Sequence, residues 1–193
     1  MENLFNEYID VNDKGLRNTI FLSFSCLVAW LILPVIESRF KLLSKIVNNN
    51  KAKAADFLAY GLIHLGSFRN YAFISTIWNS KQLELNELNL VCQVAGVILG
   101  LLSIVIFICA STKLGLRGMY FGDCFGFLLK EKVYAFPFNI VSHPQYWSIL
   151  GMALSFSLFF RSPVGLFLTV LNAFSFLLLA FFENLELKRI YKN

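Results

Sequence analysis

The chain has 193 residues, of which 57% are hydrophobic and 15% are charged, whereas soluble proteins carry about 25% charged residues. This composition, which includes 21 phenylalanines, indicates that a bilayer is the solvent and excludes an ordinary soluble domain. The net charge of +5 is explained first by membrane topology and anionic lipid. No basic tract interleaved with aromatic residues is present, so we expect no nucleic-acid partner.

Residues 1–17 form a polar N-terminus with four acidic side chains in its first 13 residues. A signal peptide begins with basic residues, so we expect the following apolar run to remain as a membrane anchor. The four cysteines include no C-x-x-C pair, and only two histidines are present. We therefore predict no metal site.

Five apolar segments follow, and a membrane helix needs roughly 20 apolar residues. The segments are residues 18–36, 54–78, 89–110, 145–160 and 163–182. Because proline cannot continue a preceding helix, Pro163 predicts a tight turn between the last two segments. We predict an all-α, polytopic integral membrane protein with about four to five membrane helices that ends in a helical hairpin.

Basic residues predict the orientation of these segments. Five follow the first segment, four follow the third and three follow the last, whereas four lie on the opposite side if all five segments cross. The positive-inside rule then places the N-terminus in the lumen and the C-terminus in the cytosol. Residues 111–145 and 183–193 would share the cytosolic side. A first segment that lies in the membrane interface remains the alternative.

Polar, motif-like residues are densest between residues 119 and 146. Gly122 precedes Asp123, and glycine either lets a ligand approach the backbone or simply forms a turn. Proline is favoured in the first turn of a helix, so Pro144 predicts a helix start with Ser142 or His143 near the N-cap. We also expect an extended conformation for His143, because it precedes a proline. Free N–H groups at this helix start would attract a carboxylate or phosphate. His143 is either a structural residue or part of a site.

Two charged residues lie in or beside apolar segments. Glu183 directly follows the last apolar run, where an acid opposes the helix dipole, so we expect a cation near it. The cation would be a protein Lys or Arg, or a sulfonium or ammonium ligand. Arg69 lies inside the second segment and either binds a lipid phosphate or marks a broken or shallow helix.

These motifs together resemble the phospholipid N-methyltransferases, which include the phosphatidylethanolamine N-methyltransferases and are relatives of the isoprenylcysteine carboxyl methyltransferases. The resemblance rests on F-P-F-N at 136–139, H-P-x-Y at 143–146, the hairpin and the terminal acid. The pattern G-x-x-F-G-D-x-F-G-x-L at 118–128 is also similar to that family. The similarity is dense over residues 118–191 and looser over the rest of the chain.

The resemblance implies one membrane-embedded methyltransferase domain, residues 1–193, with its cofactor-binding region in residues 111–193. It would bind S-adenosylmethionine and release S-adenosylhomocysteine. The acceptor would be the amine of phosphatidylethanolamine and its mono- and dimethyl derivatives, towards phosphatidylcholine, at the endoplasmic reticulum. By motif position the expected cofactor-binding residues are Gly100, Ser103, Gly122, His143, Tyr146, Glu183 and Asn184.

Two parts of this set, Asn184 and the pair Gly100 with Ser103, depart from the family pattern. Asn184 stands where the family has the second acid of a Glu-Glu pair, and Gly100 with Ser103 only approximates its glycine pair. Gly96 and Gly100 form G-x-x-x-G, a spacing that also indicates close helix packing.

The catalytic candidates are His143, Glu183 and Asp123, any of which could take a proton from the attacking amine, with a water relay as the alternative. Arg69, Phe136 and Asn139 are the expected substrate-binding residues. Aromatic rings such as Phe136 either anchor the interface or hold a methylated ammonium by cation–π contact. The competing functions are an isoprenylcysteine-type carboxyl methyltransferase and a non-catalytic membrane scaffold or small transporter.

Overall fold

The computed structural model describes residues 8–128 and 133–190, and these residues contain helices but no strand. The first seven residues of the predicted polar N-terminus and the last three residues of the chain lie outside the described ranges. The helices are α1 (Lys14–Phe40), α2 (Leu42–Ile46), α3 (Lys51–Asn79), α4 (Leu88–Met119), α5 (Pro144–Phe159) and α6 (Pro163–Ile190). A 3-10 turn, Gly122–Phe125, follows α4.

The predicted all-α membrane fold is confirmed. Within the described ranges, three helices, α1, α4 and α6, are long and apolar enough to cross a membrane. The helix α3 is more polar, and α5 has only 16 residues. The closing hairpin is present at the predicted turn, where the Ser162 hydroxyl accepts a hydrogen bond from the Gly165 N–H at 3.0 Å and so caps α6.

Side-chain caps determine where the first helices begin. Asp13 accepts a hydrogen bond from the Leu16 N–H at 2.7 Å, and Asn50 accepts one from the Lys53 N–H at 3.0 Å. Between these helices, the buried Glu37 carboxylate accepts the Leu43 N–H at 2.7 Å at the start of α2. Each contact satisfies an N–H group that has no partner inside its helix. The contacts of Glu37 and Asn50 form a compact elbow between α1 and α3.

The courses of two helices contradict two interpretations made from the sequence. The helix α3 passes unbroken through Arg69, so the broken-segment interpretation of that residue is wrong. The helix α6 continues to Ile190, so Glu183 lies seven residues inside it and the helix-end argument for a nearby cation is wrong. The polar last turns of α6 are supported by an ion pair between Glu186 and Arg189 at 3.2 Å.

The helix α4 packs chiefly along α5 through small residues. A Cβ atom on Gly96 would lie 2.9 Å from the Ser155 carbonyl oxygen, and the Ser155 hydroxyl donates to the Gly96 carbonyl at 2.7 Å. Gly100 and Ser103 lie in this same seam, Gly100 against Ser155 and Ser103 against Gly151. The spacing of Gly96 and Gly100 therefore serves close helix packing.

The other helices complete the bundle around α6. The helices α1, α3 and α6 pack on one another, and α5 joins them to α4. Near its C-terminal end, α4 bends at Gly115, whose φ of 66° lies in the left-handed region. Beyond the bend, Arg117 forms two hydrogen bonds to the Asp56 carboxylate, at 2.8 and 3.0 Å. This pair fastens the end of α4 to the start of α3.

Candidate functional site

A cavity of about 490 Å³, including the space at its open mouth, lies between the second half of α1, the 3-10 turn and the last turns of α6. Three carboxylates line it, those of Asp123, Glu183 and Glu186, and no Lys or Arg is among its lining residues. The rest of the wall is aromatic and aliphatic, and includes Trp30, Leu31, Pro34, Phe121, Leu179 and Phe182. An acidic, aromatic cavity of this kind favours an organic cation.

The structure brings together three of the predicted site residues. One of them, Glu183, lines this cavity, and Tyr146 and His143 lie beside it. The Tyr146 hydroxyl donates a hydrogen bond to the Glu183 carboxylate at 2.7 Å, and His143 Nδ1 lies 3.6 Å from the same oxygen. The His143 and Tyr146 rings stack, with their centroids 5.6 Å apart. Tyr146 also stacks on Phe176 at 5.2 Å, and it is only 5% exposed. The three polar groups therefore lie on a rigid apolar base.

His143 reaches Glu183 through a turn that the sequence did not predict. It is the N-cap residue of α5, but its φ of 56° and ψ of 53° are left-handed, so the predicted extended conformation is wrong. Proline disfavours only the right-handed helical region for the preceding residue, and histidine is among the residues enriched in the left-handed one. Its side chain makes no capping hydrogen bond, so the ring is available to the site.

Gly122 shapes the 3-10 turn that carries Asp123 into the cavity wall. A Cβ atom on Gly122 would lie 2.7 Å from the Arg117 carbonyl oxygen, so a larger residue would push the turn away from α4. Asp123 and Phe121 line the cavity, but Gly122 does not. The position of Gly122 is therefore explained by its role in the turn.

Two cavity residues with polar side chains, Glu186 and Trp30, were not predicted from the sequence. Glu186 lies three residues after Glu183 on the same helix and accepts a hydrogen bond from the Ser38 hydroxyl of α1 at 2.7 Å. The spacing of three residues places side chains on one helix face, so it could have revealed Glu186. Trp30 also lines the cavity, and its indole N–H is buried without a partner among the described residues. No sequence signal identified Trp30.

Other predicted site residues lie elsewhere. Asn184 is exposed and outside the cavity, and Phe136 and Asn139 are exposed on the connection before α5 and line no cavity described in this chain. Gly100 and Ser103 lie in the α4–α5 seam. Their predicted contacts with cofactor or lipid stay predictions. Arg69 lines a second cavity, and Phe176 in the wall of that cavity stacks on Tyr146.

An apolar helical bundle with a carboxylate-lined cavity at one end defines an integral membrane protein whose cavity suits a cationic molecule. Sequence comparison identifies the family. The phospholipid methyltransferase family matches residues 91–193. No solved structure matches the chain.

Three relatives illustrate the extent of the similarity. The chain is 31% identical over 162 residues to the phosphatidyl-N-methylethanolamine N-methyltransferase of Neurospora crassa, covering 84% of this chain and 75% of the relative. It is 30% identical over 182 residues to the enzyme of that name from Schizosaccharomyces pombe, covering 94% and 92%. Identity to the human phosphatidylethanolamine N-methyltransferase is 29% over 136 residues, 70% and 68% of the two chains. The chain belongs to the phospholipid methyltransferase family, as the motifs predicted.

Proposed function

We propose that this chain is an S-adenosylmethionine-dependent enzyme that methylates the amine of phosphatidylethanolamine and its mono- and dimethyl derivatives. Family membership supports methylation of a phospholipid headgroup. The observation that carries the proposal is the placement of Glu183, held by Tyr146 and beside His143, in an acidic cavity. The isoprenylcysteine alternative is not favoured, since the relatives are named for phosphatidylethanolamine-type acceptors.

The cavity suits S-adenosylmethionine chemically. That molecule has a sulfonium and an ammonium group, which match the carboxylates of Asp123, Glu183 and Glu186. The unpartnered Trp30 N–H offers a donor to a carboxylate or ring nitrogen. When bound, the cofactor supplies an activated methyl group that needs only to be aligned with the acceptor nitrogen.

We assign distinct roles to the three polar residues. Glu183, oriented by the Tyr146 hydroxyl, attracts positive charge to the cavity. His143 takes the proton that the lipid ammonium must lose before its nitrogen can attack, because a neutral imidazole nitrogen can act as a general base. The nearby Glu183 stabilises the imidazolium that forms. Asp123 adds negative charge to the opposite wall.

In this proposal the cavity faces the cytosol, where the cofactor is dissolved. The cavity end of the bundle carries the exposed basic residues Arg39, Lys41, Lys45, Lys51 and Lys53 near its elbow. Basic residues concentrate on the cytosolic side of membrane proteins, so the N-terminus would be lumenal and the C-terminus cytosolic. The endoplasmic reticulum is the proposed membrane, and phosphatidylcholine is the final product.

The proposal is tested with purified protein in liposomes that contain phosphatidylethanolamine or its mono- or dimethyl derivative, with methyl-labelled S-adenosylmethionine. We expect label in at least one lipid and none in a farnesylated cysteine acceptor. His143→Ala and Glu183→Ala should each lower the rate by about a hundredfold, the usual contribution of a positioned acid or base. Glu87→Gln, which removes an exposed acid at the other end of the bundle, should not.

Two outcomes would count against the proposal. Absence of label in all three lipids would refute the activity. Wild-type rates in both the His143 and Glu183 variants would refute the site while leaving the activity intact.

A further inference from the structure

A second cavity lies between α3, α5 and α6. Phe176 in its wall stacks on Tyr146, whose hydroxyl donates to Glu183. It measures about 610 Å³ including the space at its mouth. Its walls are mostly apolar, and three polar side chains, Arg69, Asn70 and Asn172, interrupt them. Ile74 and Phe156 line it and are 36% and 38% exposed, five and three residues before the ends of their helices. Both lie inside the apolar runs 54–78 and 145–160, so the cavity opens sideways onto an apolar surface.

Arg69 is the only charged residue that lines this cavity. Its Nε and Nη2 donate to the Asn70 side-chain oxygen at 3.3 and 2.8 Å, and its guanidinium lies 5.4 Å from the centre of the Phe176 ring. No carboxylate among the described residues forms an ion pair with it. A guanidinium has five N–H groups, so three of them make no hydrogen bond to the described residues.

A cation inside a membrane helix is costly unless an anion or water accompanies it. The anion for which a guanidinium is best suited is a phosphate, which its planar fork binds through two parallel hydrogen bonds. The apolar walls and the sideways opening indicate that this phosphate belongs to a lipid, whose acyl chain would cover Ile74 and Phe156.

We propose that this cavity binds the phosphate and the first part of an acyl chain of the phospholipid substrate, with Arg69 on the phosphate. The inference rests on the function proposed above and extends it to the acceptor. Arg69 acts as a positioning residue, since it contacts neither the amine nor the methyl donor.

The contacts between Arg69 and the candidate site run through Phe176. Phe176 contacts both Arg69 and Tyr146, and Glu183 lies seven residues further along α6, about 10 Å along the helix axis. Only two carbon atoms separate the phosphate ester oxygen from the nitrogen in a phosphoethanolamine headgroup, so the headgroup is shorter than that distance. A phosphate held at Arg69 would direct the amine along Phe176 towards Tyr146, on the Arg69 side of Glu183.

This site would recognise a part of the lipid that methylation does not change. The phosphate is the same in phosphatidylethanolamine, its two partly methylated derivatives and phosphatidylcholine. Loss of Arg69 should consequently raise the KM for every acceptor by the same factor, about 10- to 100-fold for a charged hydrogen bond. The KM for S-adenosylmethionine and the binding of S-adenosylhomocysteine should stay unchanged, and Arg69→Lys should restore part of the loss.

A binding experiment tests the site without methyl transfer. The full-length protein is photolabelled in detergent micelles with phosphatidylcholine that carries a diazirine in one acyl chain, and the labelled peptides are identified by mass spectrometry. We expect label on α3 and α5 near Ile74 and Phe156, reduced at least about tenfold in Arg69→Gln. The control Lys53→Gln removes an exposed charge from the same helix and should label like the wild type.

Each outcome decides the question. Equal labelling of wild type, Arg69→Gln and Arg69→Lys, or an unchanged acceptor KM, would overturn the inference even if the protein methylates lipids. Protection by millimolar inorganic phosphate as strong as that by unlabelled phosphatidylcholine would show a free-phosphate site and also overturn it. If Arg69→Gln unfolds, Arg69→Lys provides the same comparison. Retained, Arg69-dependent labelling in a protein without methyltransferase activity would sink the proposed function alone.

Discussion

At the scale of single residues, Tyr146 joins the candidate site to the apolar core. Its hydroxyl donates to Glu183, while its ring stacks on His143 and Phe176. The hydrogen bond and the ring contacts can be separated by substitution, because phenylalanine keeps the ring.

We expect Tyr146→Phe to lose the 2.7 Å hydrogen bond and retain both stacking contacts. A hydrogen bond to a charged group contributes about 1.5–3 kcal/mol, so S-adenosylhomocysteine affinity should fall roughly tenfold or more. Titration calorimetry measures this, and Tyr146→Leu should in addition lower the unfolding temperature. Wild-type affinity in Tyr146→Phe would show that the orientation of Glu183 is unimportant.

A second acid of α6 lines the cavity at a position that the family pattern does not mark. Glu186 lines the cavity, whereas Asn184 is exposed outside it. We expect Glu186→Gln to raise the KM for S-adenosylmethionine several-fold, since a negative charge facing a cation is lost. The neighbouring change Asn184→Ala should have little effect, and the opposite result would place the cofactor on another face of α6.

Much of the site could be predicted from the sequence, although not always for the right reason. The motif identified His143, Tyr146 and Glu183, and the structure brings them together. The left-handed backbone of His143 was not predicted, because a following proline disfavours the right-handed helical region and leaves both extended and left-handed conformations open. The helix-end argument for Glu183 failed, since α6 continues for seven more residues.

At the scale of helices, the seam between α4 and α5 depends on residues without side chains. We expect Gly96→Leu to force α4 away from α5, because even a Cβ would lie 2.9 Å from the Ser155 carbonyl oxygen. Overpacking of this kind costs about 1–3 kcal/mol and should lower the unfolding temperature in detergent.

The matched control for this change is Gly61→Ala on α3, where no atom lies within 4 Å of the added Cβ. Alanine favours a helix over glycine by about 0.8–1.0 kcal/mol, so this variant should be at least as stable as the wild type. Equal unfolding temperatures for the Gly96 and Gly61 variants would show that the seam is loosely packed.

Hydrophobicity located the helices well but not their ends. The apolar runs end near Ala110 and Phe182, whereas α4 and α6 continue to Met119 and Ile190. The extra turns are polar and are held by the pairs Arg117–Asp56 and Glu186–Arg189. An apolar run reports where a chain would leave the bilayer, while the end of a helix depends on caps and partners that lie elsewhere in the sequence.

At the scale of the whole molecule, the proposed chemistry requires that the elbow after α1 and the end of α6 share one side of the membrane. We expect Lys53→Cys and Lys188→Cys, in a background with the native cysteines replaced, to react with an impermeant maleimide from the cytosolic side. Lys81→Cys should react only from the lumenal side. Labelling of residues 53 and 188 from opposite sides would leave no common cavity for donor and acceptor.

The cavity walls are widely separated in the chain, at residues 30–35, 118–124 and 179–190. A polypeptide truncated before residue 179 would retain α1, α3, α4 and α5 and could still be inserted, yet it would lack Glu183 and Glu186. During synthesis, the chain must therefore pass residue 186 before the cavity has all three of its carboxylates.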